Sequence, residues 1–263
     1  MKTGSYNNKI TVILRSSGSV CLLSKSIISM LGLLFYSQSL YSLEPDSLLY
    51  SNHIFSEKIK TVQLYKDGWN LSYPVMKLNS AEKLILNFDL LGDNIENYYY
   101  TFIHCDKDWN RSDIFTTDYL EGFAENPIED YKPSFNTTVN YIHYRVSFPN
   151  DRVKISLSGN YILMVYPMNE PENPAITQRF LVTEDMAEIN ISAHRPRMTA
   201  DLNTGQQIDF NVIIRNIRIN DPYRDVFAFV LQNGRWNNAK KNLKPEFFSS
   251  NELKYSPLSD KNV

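Results

Sequence analysis

The stretch YYYTFIHCDKDWN, Tyr98 to Asn110, changes character halfway along. Its first half is aromatic and β-branched, the composition of a pleated, half-buried strand. Its second half sets His104, Cys105, Asp106, Asp108, Trp109 and Asn110 within seven positions, a polar turn closing that strand. Beyond it, Arg111 to Thr138 is the longest region without a periodic pattern. A connection of that length in a compact domain is usually functional or disordered. A working surface is expected there.

Strands flank this segment on both sides. Lys83–Leu90 alternates, with Leu84, Leu86, Phe88 and Leu90 on one face. Val139–Phe148 alternates again, with Ile142, Tyr144, Val146 and Phe148 on one side and Tyr141, His143 and Arg145 on the other. Tyr161–Tyr166 is almost wholly apolar and belongs at the centre of a sheet. Ile59–Tyr65, Leu71–Leu78 (kept near an edge by Pro74) and Thr177–Thr183 complete the set. Seven strands separated by turn signals predict an all-β immunoglobulin/fibronectin-like sandwich over residues 58–185.

Glu184-Asp185 marks a boundary. Past it, Glu188–Ala193, Gln206–Ile219 and Asp225–Gln232 read as strands, with Ile208, Phe210, Val212 and Ile214 on one face. Gln232-Asn233-Gly234-Arg235 is a turn signal. So few strands do not close a sandwich, so residues 186–263 are expected to be a partial second β-domain with that apolar face poorly covered.

Composition and charge narrow the function. Apolar residues make up 43% and charged residues 21% of 263, which excludes a disordered chain. Up to residue 43 the chain holds Lys2, Lys9, Arg15 and Lys25 and no acid; the remainder carries 23 basic against 29 acidic groups. A mildly acidic body offers no electrostatic footprint for nucleic acid. The basic start, the apolar run Ile27–Tyr36 and the small residues Ser37, Ser39 and Ser42 have the layout of a secretory signal peptide over 1–42. That leaves a mature chain from near Leu43, with an N-terminal arm at 43–57. The apolar run is too short to span a membrane. Cys21 would leave with the leader, so Cys105 stays alone and no disulfide framework is available.

Chemical motifs were weighed against simpler roles. Asp106-x-Asp108-x-Asn110 opens like a calcium loop, but Arg111 and Thr117 stand where an EF-hand needs Gly and Glu. His104, Cys105 and His143 are zinc-ligand types, yet neighbours on a strand point to opposite faces. Neither nucleophile elbow, P-loop nor H-E-x-x-H is present. No metal, cofactor, small-molecule substrate or enzymatic activity is expected. Trp69, Trp109 and Trp236 could form a carbohydrate platform, and an exported carbohydrate-binding module is the alternative reading.

Five motifs, in order, carry a resemblance: His104-Cys105-Asp106 with Trp109, Ser134-x-Asn136-Thr137, Tyr141-x-His143-Tyr144, Ser158-Gly159-Asn160-Tyr161 and Gln232-Asn233-Gly234-Arg235-Trp236. Over roughly Ile59 to Pro257 the chain resembles the plug protein of the Bacteroidota type IX secretion system. The resemblance implies a non-catalytic periplasmic subunit that seals the outer-membrane translocon barrel while no substrate is in transit. Within the long loop, Tyr119, Phe123, Tyr131 and Phe135 are the candidate partner contacts, because aromatic residues dominate interface hot spots. The competing role for all four is to pin the loop to its own sandwich.

Overall fold

Alternation along the chain puts one apolar face per strand inward, and the protein closes two sheets over those faces. The computed structural model describes residues 10–16, 49–194, 207–215 and 219–256. The chain falls into two compact units, residues 35–184 and residues 185–263 with 1–34.

In the first unit, one sheet has the order β3 (Ile59–Lys66), β5 (Leu84–Leu91), β10 (Tyr141–Phe148) and β9 (Asp130–Pro133). The other runs β2 (His53–Ile54), β13 (Ile176–Thr183), β12 (Gly159–Pro167), β6 (Tyr98–Cys105) and β8 (Asn126–Pro127). Here β4 (Val75–Lys77) adds parallel to β13. As its apolar sequence demands, β12 is central, and every residue from Asn160 to Tyr166 is buried. Rings bridge the sheets: Phe102 meets Phe148 at 4.8 Å, and Phe88 meets Tyr98 at 5.6 Å. Each such buried ring is worth about 1.5–3 kcal/mol.

Two expectations need correction here. Leu71–Leu78 is not one strand: Ser72 N–H bonds to the Trp69 carbonyl at 3.0 Å, so the chain turns first and extends only after Pro74. Arg111–Thr138 is not structureless. It holds a helical turn, α1 (Thr116–Tyr119), then β7 (Leu120–Gly122), β8 and β9, each strand too short to leave a periodic trace. The arm is likewise held: Thr177 Oγ1 donates to the Ser51 carbonyl at 2.8 Å and Asn52 Oδ1 accepts from Arg179 N–H at 2.7 Å.

The second unit has a sheet of β14 (Ala187–His194), β15 (Gln207–Ile214), β19 (Glu252–Tyr255) and β18 (Phe247–Ser249). A second sheet orders β1 (Ile10–Ser16), β16 (Val226–Gln232) and β17 (Lys240–Leu243). Phe210, Val212 and Ile214 are buried with Val226, Ala228, Leu253 and Tyr255, and Phe210 stacks on Tyr255 at 4.4 Å. The expected uncovered face is therefore covered. Val226 and Ala228 of β16, in the other sheet, share one buried cluster with it, while β19 and β18, too short to read from periodicity, widen the sheet beside β15. The strand expected over Gln206–Ile219 ends at Ile214, and residues 216–218 are outside the described residues. Ile10–Ser16 lies inside the segment read as a leader, yet pairs with β16; the apolar run Ile27–Tyr36 and the cleavage site near Ser42 lie outside the described residues.

Candidate partner-binding surface

At the end of β6 the polar turn folds on itself. The Asp106 carboxylate accepts from the Asp108 and Asn110 backbone N–H groups at 2.8 and 2.9 Å, and from Asn110 Nδ2 at 3.1 Å. The carboxylate oxygens that a calcium loop would offer to a cation are taken up by the turn's own N–H donors, as in an ordinary Asx turn. This closure swings Trp109 to a φ of 71° and buries it. The Arg179 guanidinium lies 4.3 Å over the indole, and its Nε donates to the Tyr50 carbonyl at 2.8 Å. Burial draws Arg179 down to about 10, a cost that the cation–π contact offsets. Nothing in sequence links Trp109 to an arginine seventy positions away, and sequence reading missed it.

Several motif residues gather around the same turn. Asn160, fully buried, donates through Nδ2 to the Asp106 carbonyl at 2.8 Å. The His104 ring packs edge-on to Tyr161 at 5.0 Å, and its Nδ1 meets Ser112 Oγ at 2.8 Å. A Cβ on Gly159 would stand 2.9 Å from His104 Cδ2 and closer still to Nε2. The glycine of one motif is thus set by the histidine of another. Cys105 is buried, its thiol 3.8 Å from the Ile103 carbonyl.

Other motif residues lie elsewhere. Tyr144 stacks on Phe88 at 4.9 Å and ties down the β5–β6 connection, donating to the Glu96 carbonyl at 2.9 Å and accepting from the Glu96 N–H at 3.0 Å. Burial pushes the Tyr144 phenol up. His143 sits on the outer face of the sheet, its Nδ1 2.7 Å from Asp89 Oδ1. Asn136, at φ 57°, forms the β9–β10 turn, where Ser134 Oγ accepts from Tyr141 N–H at 3.0 Å. In the second unit, Asn233 and Gly234 take positive φ, closed by Arg235 N–H to the Gln232 carbonyl at 3.1 Å, while Trp236 lies 6.4 Å from Phe229. The motifs are fold-holding devices. The three tryptophans do not form one platform, since Trp109 is interior.

The four loop aromatics separate. Tyr119 is buried, its hydroxyl donating to the Phe102 carbonyl at 3.2 Å and its ring 5.7 Å from His104. It pins the loop, and as a contact residue it is corrected. Tyr131 is half-exposed, 5.8 Å from Tyr144, beside a cleft of about 390 Å³ that also takes in Tyr99, Pro127 and Met168. Phe123 and Phe135 stand in solvent, at 67% and 94% exposure. Phe115, 80% exposed, joins them without having been singled out. Beside Phe123, β7 pairs with β11 (Val153–Ile155), and Gly122 at φ 97° passes so close to the Arg152 carbonyl that no side chain fits.

Among the described residues, no group of three or more His, Cys, Asp or Glu is placed to hold a metal, and no helix is long and apolar enough to cross a membrane. The fold defines an antiparallel β-sandwich whose loops are stitched to its own strands while a few aromatic side chains are left in solvent. Residues 59–184 match the family model described as the type 9 secretion system plug protein 1st domain. A crystal structure of a hypothetical protein from Parabacteroides merdae is similar, with 34% identity and a TM-score of 0.74, over 78% of this chain and 52% of that one. The chain thus spans about half the length of that relative. No curated protein matches it.

Proposed function

We propose that this protein is a non-catalytic plug or gating subunit of type IX secretion, bound at the periplasmic face of the outer-membrane translocon barrel. The observation that carries this reading is the family match across the first sandwich. A barrel wide enough for folded cargo leaks solutes when idle, and a rigid sandwich is a suitable stopper. Rigidity here comes from the cross-sheet rings and the stitched loop. Release during transport requires a moderate, largely polar interface with a few apolar anchors. Phe123, Phe135 and the half-exposed Tyr131 have that character.

The test is affinity purification of the tagged protein from envelope extracts under mild detergent. The expected result is co-isolation of a very large outer-membrane barrel. Recovery of the protein alone, with retention on a polysaccharide column, would instead favour a carbohydrate-binding module.

A further inference from the structure

Three connections of the first sandwich, residues 92–97, 123–129 and 168–174, each hold two carboxylates and no Lys or Arg. The carboxylates are Asp93 and Glu96, Glu125 and Glu129, and Glu170 and Glu172. Lys and Arg together number 27 against 29 Asp and Glu over the whole chain, so their absence from all three connections is a local feature. The connections meet at the start of β6. Met168 N–H donates to the Asn97 carbonyl at 2.8 Å, and Ile128 N–H donates to the Tyr98 carbonyl at 2.8 Å.

The cleft of about 390 Å³ opens at this meeting point, walled by Tyr99, Pro127, Tyr131 and Met168, with Glu129 also on its lining. Its polar neighbours are held: the Tyr98 hydroxyl donates to Glu96 Oε2 at 2.7 Å, and Glu129 pairs with Arg152 at 2.7 Å. Lys132, beside Tyr131 on β9, alternates to the other face, where it stands across from His143. Burial and then Glu96 push the Tyr98 phenol up, and burial and then Glu125 take Tyr166 up to about 12. Met168 and Ile95, from two of the three connections, are exposed. A concave surface lined by one sign of charge over apolar walls focuses its field. That field repels nucleic acid and anionic lipid. Among the described residues no three of these carboxylates are gathered to hold a metal. What fits is an apolar side chain flanked by cations.

We propose that this cleft is a docking site for an extended basic segment of a partner polypeptide. One aromatic or branched apolar side chain of that segment enters the cleft against Tyr99, Tyr131 and Met168. Its Lys or Arg residues pair with the carboxylates of the three connections around the rim. An apolar anchor in a pocket supplies affinity, and the charged rim supplies steering and selectivity. The site lies wholly within the first unit, and the proposal does not rest on the plug reading.

The test uses the full chain. The probe is a fluorescein-labelled short peptide of alternating arginine and tryptophan, and the control carries glutamate in place of arginine. The first peptide is expected to bind one-to-one in polarisation titrations and to weaken as salt rises; the control should not bind. Glu125→Lys with Glu172→Lys reverses two exposed carboxylates and should weaken binding about tenfold or more. Met168→Ala and Tyr131→Ala each remove part of a cleft wall and should each weaken binding about tenfold. Tyr131 also meets Tyr144, so a melting curve accompanies that variant, and Met168→Ala, at an exposed side chain, carries the test if Tyr131→Ala fails to fold. Absence of binding at low salt overturns the proposal. Weakening by the charge reversals with no effect of the cleft variants also overturns it, leaving only diffuse attraction to an acidic body. Retention on an oligosaccharide column that salt does not weaken and Met168→Ala abolishes assigns the cleft to carbohydrate, and overturns it likewise. Translocon co-isolation is scored separately: peptide capture without a translocon sinks the plug reading alone, and the reverse sinks the basic-segment site alone.

Discussion

The turn Asp106–Asn110 and the hairpin tip between β9 and β10 are the same kind of object with opposite fates. Each is a polar loop at a strand end, and each uses a residue at positive φ, Trp109 in one and Asn136 in the other. The first turns its aromatic residue inward, under Arg179, where it is 4% exposed. The second holds Phe135 outward at 94%. Satisfied polar groups explain the first: the Asp106 carboxylate and the Asn160 amide leave the turn no freedom, and the indole completes the seal. No core element lies over Phe135, and the bonds of Ser134 and Thr137 fix only the backbone beneath it. Residues such as Asp106 and Asn160 are thus taken up in holding the turn, and a contact surface is to be sought among side chains that the fold does not use.

The largest effect expected from breaking the sealed end is at Gly159. Gly159→Ala drives a methyl into the His104 ring and should cost about 2–3 kcal/mol in a urea melt. Combining it with His104→Ala should recover part of that loss, since the two changes share one contact. Alkali attacks the same core. Burial pushes the Tyr98, Tyr100 and Tyr144 phenols up and takes Tyr166 to about 12, so the folded state favours their protonated forms. Their contribution is fully present below pH 10 and is lost as pH rises from there towards 12. A urea midpoint that is level to pH 9.5 and falls steeply above 10 is expected; a level profile to pH 11.5 would contradict it. Asp106→Ala frees the three donors of the turn and should cost about 1–2 kcal/mol. At the hairpin, Asn136→Ala trims an exposed side chain and strains a positive φ, for about 1 kcal/mol, and Asn136→Gly should be near neutral.

How far sequence reached follows from the physics of each element. β5, β6, β10, β12 and β13 were legible because they are long and bury one or both faces, which writes a period into the residues. The pieces between Arg111 and Thr138 were not, because two- to four-residue strands are fixed by pairing rather than by pattern. The same blindness made the second unit look open: β18 and β19 widen the sheet beside β15 without leaving a period, and Val226 and Ala228 of β16 share one buried cluster with Phe210 and Val212. At the candidate surface, the aromatic content of the loop was visible, but its direction was not. Tyr119 and Phe123 are four residues apart and indistinguishable by composition, yet one donates to the Phe102 carbonyl and the other meets solvent. The contact of Gly159 with His104 joins two motifs that sequence could only set side by side.

Residues that hold the fold and residues that reach into solvent are different sets in this molecule, and one measurement tests that division directly. Phe123→Ala with Phe135→Ala removes two exposed rings that touch little of the core, so stability should stay within about 0.5 kcal/mol of the parent. Binding should not survive: hot-spot aromatics cost about 2 kcal/mol or more each when truncated. The measurement is co-isolation with the outer-membrane translocon, paired with a melting curve on the same preparation. The account predicts loss of the translocon at an unchanged melting temperature. Full retention of the translocon, or a melting temperature that falls along with binding, would contradict it.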